Sequence, residues 1–321
     1  MAVNLAPLPN FHSIDGIQLG TTSAGIKTAG RQDLVIIEIP DDASVAGVFT
    51  LNAFCAAPVQ VAKEHLSQTQ PRYLVINTGN ANAGTGAAGL AAAQETCAEV
   101  ARLAGVGTIH VLPFSTGVIG EPLPLLDKLL PALPAALAAL NPQGWQEAAS
   151  GIMTTDTLPK GATASCVIDG QEVKISGITK GSGMIQPNMA TMLAYIATDA
   201  QVEADLLQEL LSELNELTFN RVSVDGDTST NDSCILIATG TSANITKDSD
   251  SFQVFKDCLH KVLLELAQML VRDGEGATKF ISVQVNQALT EQEAKQAAFT
   301  VANSPLVKPL FMPAMRIGVV Y

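Results

Sequence analysis

The stretch RYLVINTGNANAGTGAAGLAAAQETCAEVARLAGVGTIHVLPF, residues 72–114, decides the fold. RYLVIN (72–77) is a short run rich in Val, Ile and an aromatic, which predicts a strand. After a Gly/Asn-rich segment, GLAAAQETCAEVARLAG (89–105) predicts a helix that Gly105 ends. TIHVLPF (108–114) predicts another strand. The alternation continues outward on both sides. DLVIIEI (33–39) and AGVFTL (46–51) precede the stretch as strands, and SCILIATG (233–240) and KFISVQVN (279–286) follow it. VEADLLQELLSELNELTFNR (202–221) and SFQVFKDCLHKVLLELAQMLVRDG (251–274) repeat apolar residues at three- and four-residue spacing and predict helices. Strands alternating with helices over this length mean an α/β protein. No internal repeat is visible.

Composition narrows the class. The 321 residues are 47% hydrophobic and only 15% charged, enough to bury a large core in two domains or one elaborate one. The formal net charge of −13, with no Lys/Arg-rich run, argues against nucleic acid, whose phosphates need a basic stripe. Cys55, Cys97, Cys166, Cys234 and Cys258 are scattered without a C-x-x-C pair, so neither a disulfide framework nor a zinc knuckle is suggested. The four histidines show no metal-ligand spacing. MAVNLAPLPNFHSIDG, at the N-terminus, has no basic region leading into an apolar one and does not read as a signal peptide. PLPLLDKLLPALPAALAAL is interrupted by Asp127, Lys128, Pro131 and Pro134 and is not expected to span a membrane. The expectation is a cytoplasmic protein with reduced thiols.

Gly84, Gly86 and Gly89 spell G-x-G-x-x-G between a strand and a helix. A dinucleotide site also needs an acidic residue at the end of the following strand, to hold the ribose. That strand ends Leu112-Pro113-Phe114-Ser115, without an acid, and the loop is longer than the tight turn the fingerprint requires. The better reading is a loop that lets backbone pass close to something, with Asn77, Asn80 and Asn82 bonding its amides.

A second stretch, KGSGMIQPNMATMLAY (180–195), places a lone hydroxyl, Thr191, ahead of an apolar run. A threonine is a weak nucleophile unless a base activates it, and one solution is to make it an N-terminus whose own α-amine serves. That amine has a pKa of about 7.7–8.0, so a useful fraction is neutral near pH 7. Spacing alone does not assign this role to an internal threonine.

KGSGMIQPNMATML resembles the cleavage segment of the ornithine acetyltransferase family, the bifunctional glutamate N-acetyltransferases of arginine synthesis. Further blocks resemble that family in order: AGVFTLNAFCAAPV (46–59), NTGNANAGTG (77–86), STGVIGEPLP (115–124), MTTDTLPK (153–160), DGDTSTNDS (225–233), RDGEGATKF (272–280) and VANSPLVK (301–308). The resemblance runs from about residue 11 to Lys308.

The resemblance implies an α/β sandwich of β-sheets flanked by helices, of the ornithine acetyltransferase and DmpA-like type. It implies self-cleavage between Ala190 and Thr191, giving an α chain (1–190) and a β chain (191–308) that stay together, pair and dimerise as a heterotetramer. The freed Thr191 would take acetyl from N-acetylornithine and pass it to glutamate. By the same resemblance Thr116 and Gly117 form the oxyanion hole; one such donor is worth about 10²–10³ in rate in other enzymes. Lys180 corresponds to a substrate-binding residue suited to a carboxylate, and Glu275 to an acidic contact suited to an α-ammonium. Thr155 is taken as the family's binding threonine, with Thr154 and Thr157 as neighbours in an open register. No metal or resident cofactor is implied, and acetyl-CoA is a candidate second donor.

After Lys308 the chain departs from the family pattern and reads PLFMPAMRIGVVY, 309–321. Codons for Lys308 to Tyr321, read from the third base of the Lys codon, permit T-A-F-Y-A-S-D-A-N-W-G-R-I, nearly the family's own segment. A one-base slip that shortens the chain and removes an Asn and a Ser/Thr of the substrate site is therefore expected. Two further readings stand beside the enzyme: an impaired remnant of it, and a DmpA-like aminopeptidase by analogy of fold.

Overall fold

The computed structural model describes residues 2–185 and 192–307. In chain order the strands and helices are β1 (Gln18–Thr22), β2 (Leu34–Glu38), β3 (Ser44–Phe49), α1 (Ala57–Gln68), β4 (Tyr73–Asn80), α2 (Gly86–Ala104) and β5 (Val111–Val118). There follow α3 (Leu130–Ala138), α4 (Trp145–Gly151), β6 (Lys160–Ile168), β7 (Gln171–Lys180), β8 (Leu193–Thr198), β9 (Gln201–Val202) and α5 (Ala204–Leu217). The last are β10 (Ser233–Ala238), β11 (Asn244–Ile245), α6 (Phe252–Arg272) and α7 (Glu291–Ala302). One sheet has the order β1-β2-β4-β5, and the second β3-β10-β8-β7-β6. β4 and β5 run parallel, as do β8 and β10, and the other neighbours in both sheets are antiparallel.

The two sheets face one another. Val35, Ile37, Leu74, Ile76, Leu112 and Phe114 of the first meet Leu193, Tyr195, Ala197, Ile235 and Ile237 of the second in one buried cluster. Phe114 and Tyr195 stand edge to face across the gap, with ring centroids 5.3 Å apart. The outer face of the first sheet, through Leu34, Ile36 and Val75, is covered by Val61 of α1, Cys97 of α2 and Leu133 of α3. The outer face of the second, through Ala194, Ile196 and Leu236, is covered by α5 and α6. Helices therefore flank a two-sheet sandwich. This explains why LVIIE and SCILIA read as unbroken apolar runs, since both faces of each strand are buried.

Most expected elements are present, with shifted ends. α2 begins at Gly86, before the expected Gly89, and its C-terminal Gly105 adopts the left-handed conformation, φ 72°. TIH is a short 3₁₀ turn, and the strand starts at Val111 and runs on to Val118. The strand expected over 279–286 is absent. Its alternating Ile281, Val283 and Val285 instead pack with Ala298 and Ala302 of α7 in a small separate cluster. The period-two pattern is real, but its apolar face meets a helix and no ladder forms. PLPLLDKLLPALPAALAAL becomes a π-helical turn, Leu125–Leu129, leading into α3. No described helix is long and apolar enough to cross a membrane. All five cysteines are free thiols.

α6 is the main cover of the second sheet, and Phe255 in its first turns is fully buried. Phe255→Ala should cost about 3–5 kcal/mol through lost burial and the cavity left behind. A urea titration should show this as a lower midpoint, and an unchanged midpoint would contradict the packing described.

Candidate active site

The C-terminal ends of β4 and β5 approach unusually closely. Gly79 (φ 97°) pairs with Gly117 (φ 137°) at a register shift, and a Cβ on Gly117 would stand 2.3 Å from the Gly79 carbonyl carbon. Only glycine fits there. The Gly/Asn segment after β4 braces this junction. Asn77 Nδ2 donates to the Asn80 carbonyl (2.9 Å), while its Oδ1 accepts from Ser115 Oγ (2.6 Å). Asn80 Nδ2 donates to the carbonyls of Glu121 and Pro122, both at 3.1 Å, and Asn82 Nδ2 to that of Gly89 at 2.9 Å. The asparagines were expected to bond amides. Asn80 does, accepting from the Asn82 amide at 2.8 Å, but all three side chains chiefly satisfy carbonyls. Asn231, from the DGDTSTNDS loop, adds donors to the Ala81 and Ser115 carbonyls at 2.7 and 2.9 Å. The network holds the backbone on either side of Thr116 and Gly117.

These residues open onto a cleft of about 420 Å³, between the ends of the two sheets. Thr116, Gly117, Thr155, Lys180 and Glu275, from four well-separated segments of the sequence, all line it. Lys180, at the end of β7, is buried and donates from Nζ to Thr116 Oγ1 at 2.9 Å. An ammonium can only donate, so Thr116 Oγ1 is the acceptor and its own proton is left to donate elsewhere. Burial pulls the Lys180 ammonium below its ordinary value. The Asp156 carboxylate opposes this, Lys160 adds to it, and Asp232 and Glu275 oppose it. Thr155 Oγ1 bonds Ser182 Oγ at 2.6 Å. Thr154 also lines the cleft, whereas Thr157 turns away to give its hydroxyl and amide to Asp273. Glu275 is anchored through its amide to the Ser182 carbonyl (2.7 Å), and its carboxylate lies over Gly183, where a Cβ would stand 2.9 Å from Oε1.

A buried charge cluster ties these segments together. Lys160 Nζ bonds Asp156 Oδ1 and Asp273 Oδ2, each at 2.6 Å, with all three side chains fully buried. Asp156 Oδ1 also accepts from the Gly181 amide (2.7 Å), and Oδ2 from the Thr154 amide (2.9 Å). One ammonium thus fixes the loop bearing Thr155, the turn after Lys180 and the segment bearing Glu275. Burial alone would raise the Asp156 carboxyl, but Lys160, Lys180 and the hydrogen bonds hold it well below the usual range. Asp232 is buried beside the start of β8 and accepts from the Met192 amide at 2.9 Å. Burial pushes its carboxyl well above the ordinary value, and the bond to Met192 acts against that shift.

Sequence reasoning missed Lys160, Asp156, Asp273 and Asp232 as site-building residues. The available signal was their position inside the quoted blocks 153–160, 225–233 and 272–280. Ala190, Thr191 and the tail 309–321 lie outside the described residues. Among the described residues no group of three or more His, Cys, Asp or Glu side chains is placed to hold a metal ion.

Lys160→Met would leave two buried carboxylates without their cation and should cost about 3–5 kcal/mol. A carboxylate depressed on folding stabilises the protein above its unfolded value of about 3.9, and that stability is lost as pH falls. The gap in urea midpoint between the parent and Lys160→Met should therefore be full at pH 7 and narrow below about pH 4. A gap that does not change with pH would contradict the ion pairing.

The sequence matches the ArgJ family model over residues 18–313. The arginine biosynthesis bifunctional protein ArgJ of Pseudomonas fluorescens (strain Pf0-1) is 54% identical over 311 residues, 96% of this chain and 76% of that protein. The protein of the same name from Psychrobacter arcticus is 54% identical over 315 residues, 97% of this chain and 77% of that protein. A solved ornithine acetyltransferase of Mycobacterium tuberculosis, complexed with ornithine, is 35% identical, covers 55% of this chain and 93% of that one, and has a TM-score of 0.49. The chain spans about three quarters of the length of the curated relatives. With half its residues identical to theirs over nearly its whole length, the chain belongs to the ArgJ family.

Proposed function

We propose that this protein is an N-terminal-nucleophile acetyltransferase of arginine biosynthesis, moving acetyl from N-acetylornithine to glutamate. The observation that carries the reading is the convergence of Thr116, Gly117, Thr155, Lys180 and Glu275 on one cleft. The chain first cuts itself between Ala190 and Thr191, consuming one water and freeing the α-amine of Thr191. The Thr191 hydroxyl then attacks the acetyl carbonyl, and its proton passes to that amine. Collapse breaks the acetyl C–N bond, the departing ornithine amine takes the proton, and acetyl remains as an ester on Thr191. The glutamate amine attacks the ester carbonyl, its proton returns to the threonine oxygen, and N-acetylglutamate leaves.

Beside Thr191, the described residues of the cleft suit the supporting roles in these steps. The Thr116 hydroxyl, with its oxygen already accepting from Lys180, and the Gly117 amide are suited to donate to the oxyanion that develops twice. The Lys180 ammonium suits a substrate carboxylate, and the Glu275 carboxylate an α-ammonium. Thr155 offers a neutral hydroxyl on the same wall. No resident cofactor enters the scheme. Acetyl-CoA is proposed as a second donor, to be tested by release of free thiol in the presence of glutamate. The proposed setting is the cytoplasm, and the proposed assembly two copies of the cut pair. The reading as an impaired remnant is not favoured, since each expected residue within the described part of the chain reaches the cleft.

The test is ornithine release from N-acetylornithine that depends on added glutamate. Thr191→Ala should abolish both chain cutting and this release, and residual release from an uncut Thr191→Ala chain would overturn the mechanism.

A further inference from the structure

The cleft brings three cations and three carboxylates together, Asp33, Asp225 and Glu275 being the acids that line it. Among the described residues that line it, the cations are Lys27, Arg31 and Lys180. Two of the three are engaged. Lys180 donates to Thr116, and the Arg31 guanidinium donates to the Met153 and Thr154 carbonyls at 2.7 and 3.1 Å. Lys27 is exposed, and among the described residues its ammonium makes no hydrogen bond or ion pair.

Lys27 is nevertheless held in place by its backbone. The buried Asp33 carboxylate accepts from three successive amides just before it: Ala24 at 2.6 Å, Gly25 at 3.3 Å and Ile26 at 2.6 Å. On the other side, Lys27 lies directly over Gly79, where a Cβ would come within 2.9 Å of the Lys27 Cβ. Gly79 is the residue paired with Gly117. The stem of Lys27 therefore sits one strand away from the proposed oxyanion loop, and its charged end is exposed at the rim of the cleft.

The two amino acids exchanged in the proposed reaction differ at one end. Glutamate ends in a carboxylate and ornithine in an ammonium, and both share the α-carboxylate and α-amine that Lys180 and Glu275 suit. A cleft that takes glutamate needs one more cation than those contacts supply. We infer that Lys27 is a specificity-determining residue that receives the side-chain carboxylate of the glutamate acceptor and disfavours the side-chain ammonium of ornithine. This rests on the acetyltransferase reading, because it assumes that both amino acids occupy this cleft.

The experiment is titration calorimetry of the full-length protein and of Lys27→Glu with glutamate, glutamine and ornithine. A thermal melt accompanies it, and since Lys27 is exposed the variant should melt with the parent. Replacing an attraction with a repulsion at a rim site should weaken glutamate about tenfold and tighten ornithine several-fold. Glutamine, the neutral isostere, should change by less than about twofold. A loss of fit unrelated to charge would move all three ligands together, and that outcome, or unchanged affinities, would overturn the assignment. If neither glutamate nor ornithine binds the parent protein, the assignment fails too. Failure of the acetyltransferase reading itself is scored separately, by the absence of glutamate-dependent ornithine release from the parent protein.

Discussion

The site depends above all on Lys160, a buried ammonium held between the carboxylates of Asp156 and Asp273. Burying a charge is costly unless partners replace its water, and here each of the three groups also bonds neighbouring backbone or hydroxyls. The energy recovered is less important than the geometry imposed. Asp156 lies next to Thr155 in sequence, accepts from the amide that follows Lys180, and shares Lys160 with Asp273, two residues before Glu275. Three chain segments from different parts of the sandwich are pinned at one point. The residues that face the cleft inherit their spacing from that point.

A second constraint is the contact between Gly79 and Gly117. Parallel strands ordinarily keep about 4.8 Å between backbones along the hydrogen-bonding direction. The register shift and positive φ at both glycines let the chain turn there without a side chain in the way. The asparagine network then replaces the ladder bonds that the irregularity removes. The Gly-rich segment that superficially resembles a dinucleotide loop is thus the brace behind Thr116 and Gly117.

The fold was legible wherever burial on two faces wrote itself into the sequence as an apolar run, as in DLVIIEI, RYLVIN and SCILIATG. It was legible in α5 and α6 because one apolar stripe covers a sheet. It failed at KFISVQVN, where alternation marked a face packed under α7 that pairs with no strand, and periodicity alone does not say what the face meets. The site was legible only through resemblance. Taken singly, Lys180 and Glu275 read as solvated charges, yet Lys180 is buried and Glu275 lies against Gly183. Lys160, Asp156 and Asp273 escaped notice because a buried ion cluster has no local signature; its members become partners only through topology.

The sheet order also bears on the proposed cut. β8 and β10, which follow Thr191, lie inside the five-stranded sheet, with β3 on one side and β7 and β6 on the other. A break between Ala190 and Thr191 would leave both pieces sharing a hydrogen-bonded ladder and two hydrophobic layers, so they should separate only on unfolding. The most direct measurement is the intact mass of the purified protein under denaturing conditions. The account predicts two chains that end at Ala190 and begin at Thr191, together one water heavier than the whole. A single uncut chain that still transfers acetyl to glutamate would contradict it.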